Sequence, residues 1–508
     1  MKINFLNHQQ NKQKLFNLLL ITGLSSSLLG CGSGSDDSGT GYIQLYNLSS
    51  NSPEIYLTLD QEDNDDFDEK THSAIEFTNI SSRLTYDKDT YDIELAWENE
   101  YDNTYDLEVV YESELTVSQD TVELVVVTDD IREPSVLVYE IPVRDDDELD
   151  DDTDDEVFNV RVLNMHTLSD GVDIYYSESD ETFNEATLLN QTHYSEMSDN
   201  QKIAQDGYTF YLASAGSNEV LYTSQDIDFP YASEHIMVIR QNTGVGSSPF
   251  ILDIISTSYI YEYADTNAEA SYRIFNAIVE HDLLPQYNNS VDFHVNGVDD
   301  SPEISSLNFG EFSQPIITDS GDYSMSLVDP TTQDSILSNH LLALSENTDK
   351  SIFFYLLEEA VDEDGDGDID EDGDGYIDEI KVTMNSLIVD NNQSSSIYSH
   401  QMKVVNLIDQ DDVIDDFSSI KVYFVRNDEI IDTAEQSLTA IFANPSALTL
   451  LNNTYTVYVI GNLDSSDIIL SSSELILNED SRDQFIILEK DASSSTGYRM
   501  VFANQTNE

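Results

Sequence analysis

The sequence predicts an all-β protein of four tandem antiparallel β-sandwiches, and three observations predict it. An apolar strand ending in Asn, then a polar turn and a second strand, occurs four times: IQLYN…EIYL (Ile43–Leu57), RVLNMHTLSDGVDIYY (Arg161–Tyr176), YRIFN…VDFHV (Tyr272–Val295) and MKVVN…IKVYF (Met402–Phe424). The asparagines, Asn47, Asn164, Asn276 and Asn406, lie 117, 112 and 130 residues apart, an interval that suits whole domains and is too long for a solenoid repeat. No stretch of helical periodicity competes with the period-two alternation of these segments.

The first element is the N-terminus. Lys2, Lys12 and Lys14 precede the apolar run Leu15–Gly30, which holds Asn17, Thr22 and three serines, and Cys31 follows at once. A basic start, a short apolar run and small residues predict a signal peptide over 1–30, because the run is too short and too polar for a comfortable membrane span. The tetrad Leu28-Leu29-Gly30-Cys31 resembles the bacterial lipoprotein box. That resemblance implies cleavage before Cys31 and a covalent lipid on its sulfur and amine, with several acyl chains giving a stable anchor. Gly32 and Ser33 follow with no Asp at the second mature position, which by resemblance to Gram-negative sorting rules implies the outer membrane, facing the periplasm or the cell surface. Cys31 is the single cysteine, so no intramolecular disulfide can form and the domains must rely on their cores. Residues 31–41 read as a flexible Gly/Ser tether.

The repeat then extends beyond its opening pair. A strand centred on a tyrosine follows in each copy: DTYDIEL (Tyr91), DGYTFYL (Tyr208), GDYSMSL (Tyr323) and NTYTVYV (Tyr455). Next come continuously apolar strands at Thr121–Val127, Glu234–Arg240, Lys350–Leu357 and Asp483–Lys490, and a closing strand completes each set. About seven short strands per copy is the pattern of an immunoglobulin-like sandwich. Expected domains are 42–144, 157–266, 268–392 and 397–508. Residues 145–156 (DDDELDDDTDDE) form an acidic linker whose self-repulsion should space the first two copies apart. The recurring Asn is expected to fix a turn, and the recurring Tyr to fill core while its hydroxyl bonds a nearby carbonyl.

With VRVLN, VDIYY and Gly207-Tyr208 of the second copy and LNFGEFS (Leu307–Ser313) of the third in view, the chain resembles a bacterial family of unknown function catalogued as 4397. The resemblance implies exported β-sandwich modules and supplies no catalytic residue. Two turn prolines of that pattern are missing here, and copies one and four keep only its hydrophobic skeleton.

Copy three carries an insertion, 362–379 (DEDGDGDIDEDGDGYIDE), in which an octet recurs from Asp362 and from Asp370. Acids at alternate positions converge on one cation where glycine, here Gly367 or Gly375, permits a tight loop. The pattern covers the first three-quarters of an EF-hand-type loop, but Gly373 and Lys381 stand where the bidentate Glu belongs. It looks more like the helix-free Asp-rich loops of thrombospondin type 3 repeats. The expected Ca²⁺ ligands are Asp362, Asp364, Asp366 and Asp370 for one ion, and Asp370, Asp372, Asp374 and Asp378 for a second, with the carbonyls of Asp368 and Tyr376. Ile369 and Ile377 should anchor the loop on an apolar surface.

The chain holds 20 basic and 100 acidic residues, a formal net charge of −80. Such a field repels phosphates and excludes a nucleic-acid partner. Either a solvated acidic surface suited to saline surroundings or specific cation binding accounts for it. Nine histidines form no ligand-spaced pair, and no nucleophile elbow or phosphate loop occurs, so an enzyme is not expected. What remains is a lipid-anchored, structural or adhesive envelope protein with calcium in the third module. The alternative is a module that captures a carbohydrate or protein for an uptake or secretion system, for which Trp97 and 29 tyrosines are candidate sugar platforms.

Overall fold

The computed structural model describes residues 39–506 apart from 62–63, 65, 100–105, 144–156, 168–170, 258, 299–300, 363–368, 370–376, 378, 394, 410–416 and 464. The first sandwich shows the plan. Its strands are β1 (Thr40–Asn47), β2 (Tyr56–Asp60), β3 (Lys70–Thr71), β4 (Leu84–Asp87), β5 (Thr90–Asn99), β6 (Asp106–Thr116), β7 (Thr121–Thr128) and β8 (Ser135–Pro142). One sheet has the order β4-β1-β7-β8, the other β3-β2-β5-β6. The same pair of sheets recurs three times, with eight strands in the third and fourth copies and ten in the second. The all-β sandwich class is as expected. The strand count exceeds the expected seven because strands such as β3 and β4 are too short to show an alternation.

Inside each first sheet one pair runs parallel. β1 pairs with β7, and Val157–Asn164, Ala270–Asn276 and Ser399–Asn406 pair in the same way with Glu234–Gln241, Asp349–Ala360 and Gln484–Lys490 of their own copies. Those are the continuously apolar segments, and their composition has a second cause. They are covered on both faces, one by their own core and the other by the neighbouring sandwich.

Alternation makes the division legible. Two and four residues before the recurring Asn, Leu45 and Ile43 sit in the first core, as Val162 and Val160 do in the second. One residue before it, Tyr46 and Leu163 join Val122, Leu124, Val126, Ile236 and Val238 in a layer between sandwiches one and two. Phe275 and Val405 do the same between three and four, with Phe353, Phe485 and Ile487. Phe353 and Phe485 meet edge to face at 5.3 Å. Each such ring withdrawn from water contributes roughly 1.5–3 kcal/mol. The separation expected of sandwiches one and two is therefore not observed. Their facing sheets are apolar, and that attraction outweighs the repulsion of the acidic run between them, whose residues 145–156 lie outside the described set.

Two further contacts close the circuit. Trp97 stacks on Tyr398 at 4.3 Å with planes 3° apart, joining sandwiches one and four. Asn242 Nδ2 donates to Asn347 Oδ1 at 3.0 Å, joining two and three. Residues 40–508 form one compact unit.

Candidate functional site

The recurring residues serve the fold. Asn47, Asn164, Asn276 and Asn406 each accept, through Oδ1, the N–H two residues on, at 3.1, 2.9, 3.1 and 3.0 Å. Each Nδ2 donates to a carbonyl on the opposite sheet's side: Ile75, Thr192, Leu307 and Ala440. Each backbone carbonyl accepts from a left-handed residue, Thr78, Ser195, Gly310 or Ala443, with φ of 64°, 60°, 75° and 50°. One Asn thus ties both sheets and a strained turn together. The tyrosines behave as expected too: Tyr91, Tyr208, Tyr323 and Tyr455 donate to the carbonyls of Asp87, Ala204, Asp319 and Leu451, four residues upstream in each case.

The expected metal loop lies in sequence between two long paired strands of sandwich three. The strands Asp349–Ala360 and Ile380–Asp390 pair through to Ala360 and Ile380. Beyond them Val361 N–H donates to the Glu379 carbonyl at 3.0 Å, so the stem continues to the loop's base. Asp362 is exposed there, and Ile369 and Ile377 are half-buried. Asp364, Asp366, Asp368, Asp370, Asp372, Asp374, Tyr376 and Asp378 lie outside the described residues, as do Leu28, Leu29, Gly30 and Cys31.

Trp97 is not the exposed sugar platform the sequence allowed. It is only 5% exposed, because Tyr398 of the fourth sandwich covers it.

The unforeseen site is where the four sandwiches converge. A cleft of about 320 Å³ opens there, with lining from all four. Sandwich one supplies Glu54, Glu76 and Phe77, sandwich two Arg240, Asn242 and Glu262, sandwich three Asn347, and sandwich four Gln401 and Asp483. Adjoining hollows of about 580 and 430 Å³ share Phe77 and Thr243 with it, so the three form a branched groove.

Arg240 is built into the wall. Its Nε donates to Asp253 Oδ2 at 2.6 Å and its Nη2 donates to Glu262, while Tyr46 of sandwich one donates to the same Asp253 oxygen. Burial, then the Asp253 charge, holds the Tyr46 hydroxyl well above its ordinary range, so it stays a donor. Asp483 accepts from Gln401 N–H and Asn392 Nδ2, both at 2.6 Å, and burial raises its carboxyl to about 6. Burial also raises Glu54, helped by the like charge of Glu76. Gln401 Oε1 is buried without a hydrogen-bond partner. Sequence reasoning missed this cleft because its residues are scattered over more than 400 positions. Gln44 and Arg273, buried polar residues three positions before the Asn, mark the contacts between sandwiches, where they bond the Thr257 and Gln505 carbonyls, and do not line the cleft.

No family model matches the chain, and no curated protein matches it. Among solved structures, it is similar to the Bacillus anthracis TIE protein at 9% identity, over 90% of this chain and 76% of that one, with a TM-score of 0.16. It is also similar to the streptococcal ancillary pilin at 8% identity, over 66% of this chain and 100% of that one, with a TM-score of 0.14. Likeness at that level transfers no function.

Proposed function

We propose that the chain is a non-enzymatic cell-envelope protein, structural or adhesive, anchored by lipid on Cys31 and binding Ca²⁺ through the insertion of its third sandwich. The observation that carries this reading is the face-to-face burial of consecutive sandwiches. Strands apolar on both faces turn four small domains into one stiff body, which suits a part that bears load outside the cell. The Asp-rich insertion follows directly on the paired strands Asp349–Ala360 and Ile380–Asp390, and its oxygen ligands spaced by glycines would gather a hard cation. A lipid at the head of the tether would leave the acidic surface in water.

The test joins two measurements on cells expressing the gene. Labelled palmitate should enter the protein and be lost in Cys31→Ser, and external protease should release a fragment whose attachment to other cells depends on millimolar calcium. No palmitate in the wild type refutes the anchor. Attachment indifferent to both calcium and the fragment refutes the adhesive role. A second reading, capture of a soluble ligand for an envelope uptake or secretion system, is favoured by the convergent cleft.

A further inference from the structure

We propose that the cleft at the meeting point of the four sandwiches binds a neutral glycan segment, a ligand class that deepens the capture reading above and rests on it. The lining decides the chemistry. Anions are disfavoured: the one guanidinium in the cleft, Arg240, is already engaged by Asp253 and Glu262, and Glu54, Glu76 and Asp483 share the walls. Among the described residues no group of acids or histidines is arranged to hold a metal ion, which argues against a cation as the resident ligand.

Neutral hydroxyl-bearing ligands fit what is left. Carboxamides offer a donor and an acceptor side by side, the geometry that adjacent sugar hydroxyls match. Asn242, Asn347, Asn392, Gln393 and Gln401 all line the cleft, with serine and threonine hydroxyls between them. Asn242 donates to Ser248 and Asn347, and Asn392 donates to Asp483, so the amides that face a ligand are chiefly Asn347, Gln393 and Gln401. Gln401 Oε1 is a buried acceptor with no protein donor, so a ligand hydroxyl would satisfy an atom that is otherwise costly to bury. Phe77 is half-buried and borders the cleft and both adjoining hollows. It is the one ring placed to stack on the C–H face of a pyranose as a chain passes. One adjoining hollow of about 160 Å³, which shares Pro53, Glu54, Ser399 and Thr449 with the cleft, is lined by Tyr56, Leu450, Leu451 and Tyr455, so a peptide side chain is the competing occupant that the test must separate.

The experiment applies the chain of residues 40–508, one compact unit, to an array of immobilised neutral oligosaccharides, then titrates the strongest array ligand, free in solution, by calorimetry. Binding of at least one neutral oligosaccharide is expected, with affinity falling roughly 10-fold or more in Phe77→Ala and in Gln401→Ala. Tyr259→Ala, at an exposed ring that is not part of the cleft lining, should bind as the wild type does. Trp97 emission, which reports the junction of sandwiches one and four, should be unchanged in each variant, showing that the walls are intact. Should Phe77→Ala disturb that emission, Gln401→Ala alone decides.

The proposal is overturned if no neutral oligosaccharide binds, if binding survives both cleft variants, if it follows Tyr259 instead, or if only peptides compete. Palmitate incorporation and calcium-dependent attachment are read separately, so loss of the glycan site leaves the anchored, adhesive reading standing.

Discussion

The contact between Tyr46 and Asp253 joins residues 207 positions apart, on different sandwiches, and it gives the sharpest mutational prediction. Both are fully buried, and Asp253 also holds Arg240 at 2.6 Å. Tyr46→Phe keeps the ring in the interface layer and removes only the donated hydroxyl. A hydrogen bond to a charged acceptor is worth about 1.5–3 kcal/mol, so that loss of unfolding free energy is expected. Asp253→Ala strands the buried Arg240 with Glu262, whose side chain is 50% exposed, and should cost about 3–5 kcal/mol. The assay is urea unfolding of residues 40–508 at fixed salt, run as a double-mutant cycle with Tyr46→Phe and Asp253→Asn. If the two sandwiches meet as described, the coupling energy exceeds about 1 kcal/mol. Additive effects within about 0.5 kcal/mol would mean the residues do not touch, and the face-to-face interface would be wrong.

Four further outcomes are expected. Asn164→Ala loses the bonds to His166 N–H and the Thr192 carbonyl, and should lower stability by about 2–4 kcal/mol in the same urea assay. Burial raises the Glu489 carboxyl to about 7 against the opposing pull of Arg499, so its folded pKa lies above the unfolded one. Its contribution is then full below about 4.5 and lost as pH rises through 7, and Glu489→Gln should flatten that slope in melting curves taken across the window. Removing calcium with a chelator should speed proteolysis at 362–379 while leaving the other sandwiches unaffected, and calorimetry showing no calcium binding at millimolar levels would refute the site. Moderate salt should raise the melting temperature by screening a net charge of −80, and a flat or falling value would contradict that.

Much of the fold was legible because it depends on local, repeated chemistry. Asn47 and its three counterparts, and Tyr91 and its three, mark turns and corners, each with one bond two or four residues away in sequence, so their recurrence exposed four copies. The short strands β3 and β4 escaped notice because two to four residues carry no period. How the copies pack was written in the sequence but open to a simpler explanation. Val122, Leu124 and Val126 look like core, and only their position on the face opposite Val125 and Val127 reveals a second buried surface. The cleft was illegible for a different reason. Glu54, Arg240, Asn347 and Gln401 share no motif, and what unites them is the closure of four sandwiches on one another, which no single segment encodes. Trp97 shows the same limit, since its cover, Tyr398, arrives from the far end of the chain.

Small-angle X-ray scattering from residues 40–508 in solution addresses that closure most directly. One compact body of this length should give a radius of gyration of about 23 Å, whereas four separate sandwiches strung in line would give about 40 Å. A value near the first supports sandwiches sealed face to face around a shared cleft. A value near the second, with the profile of an extended string, would contradict it.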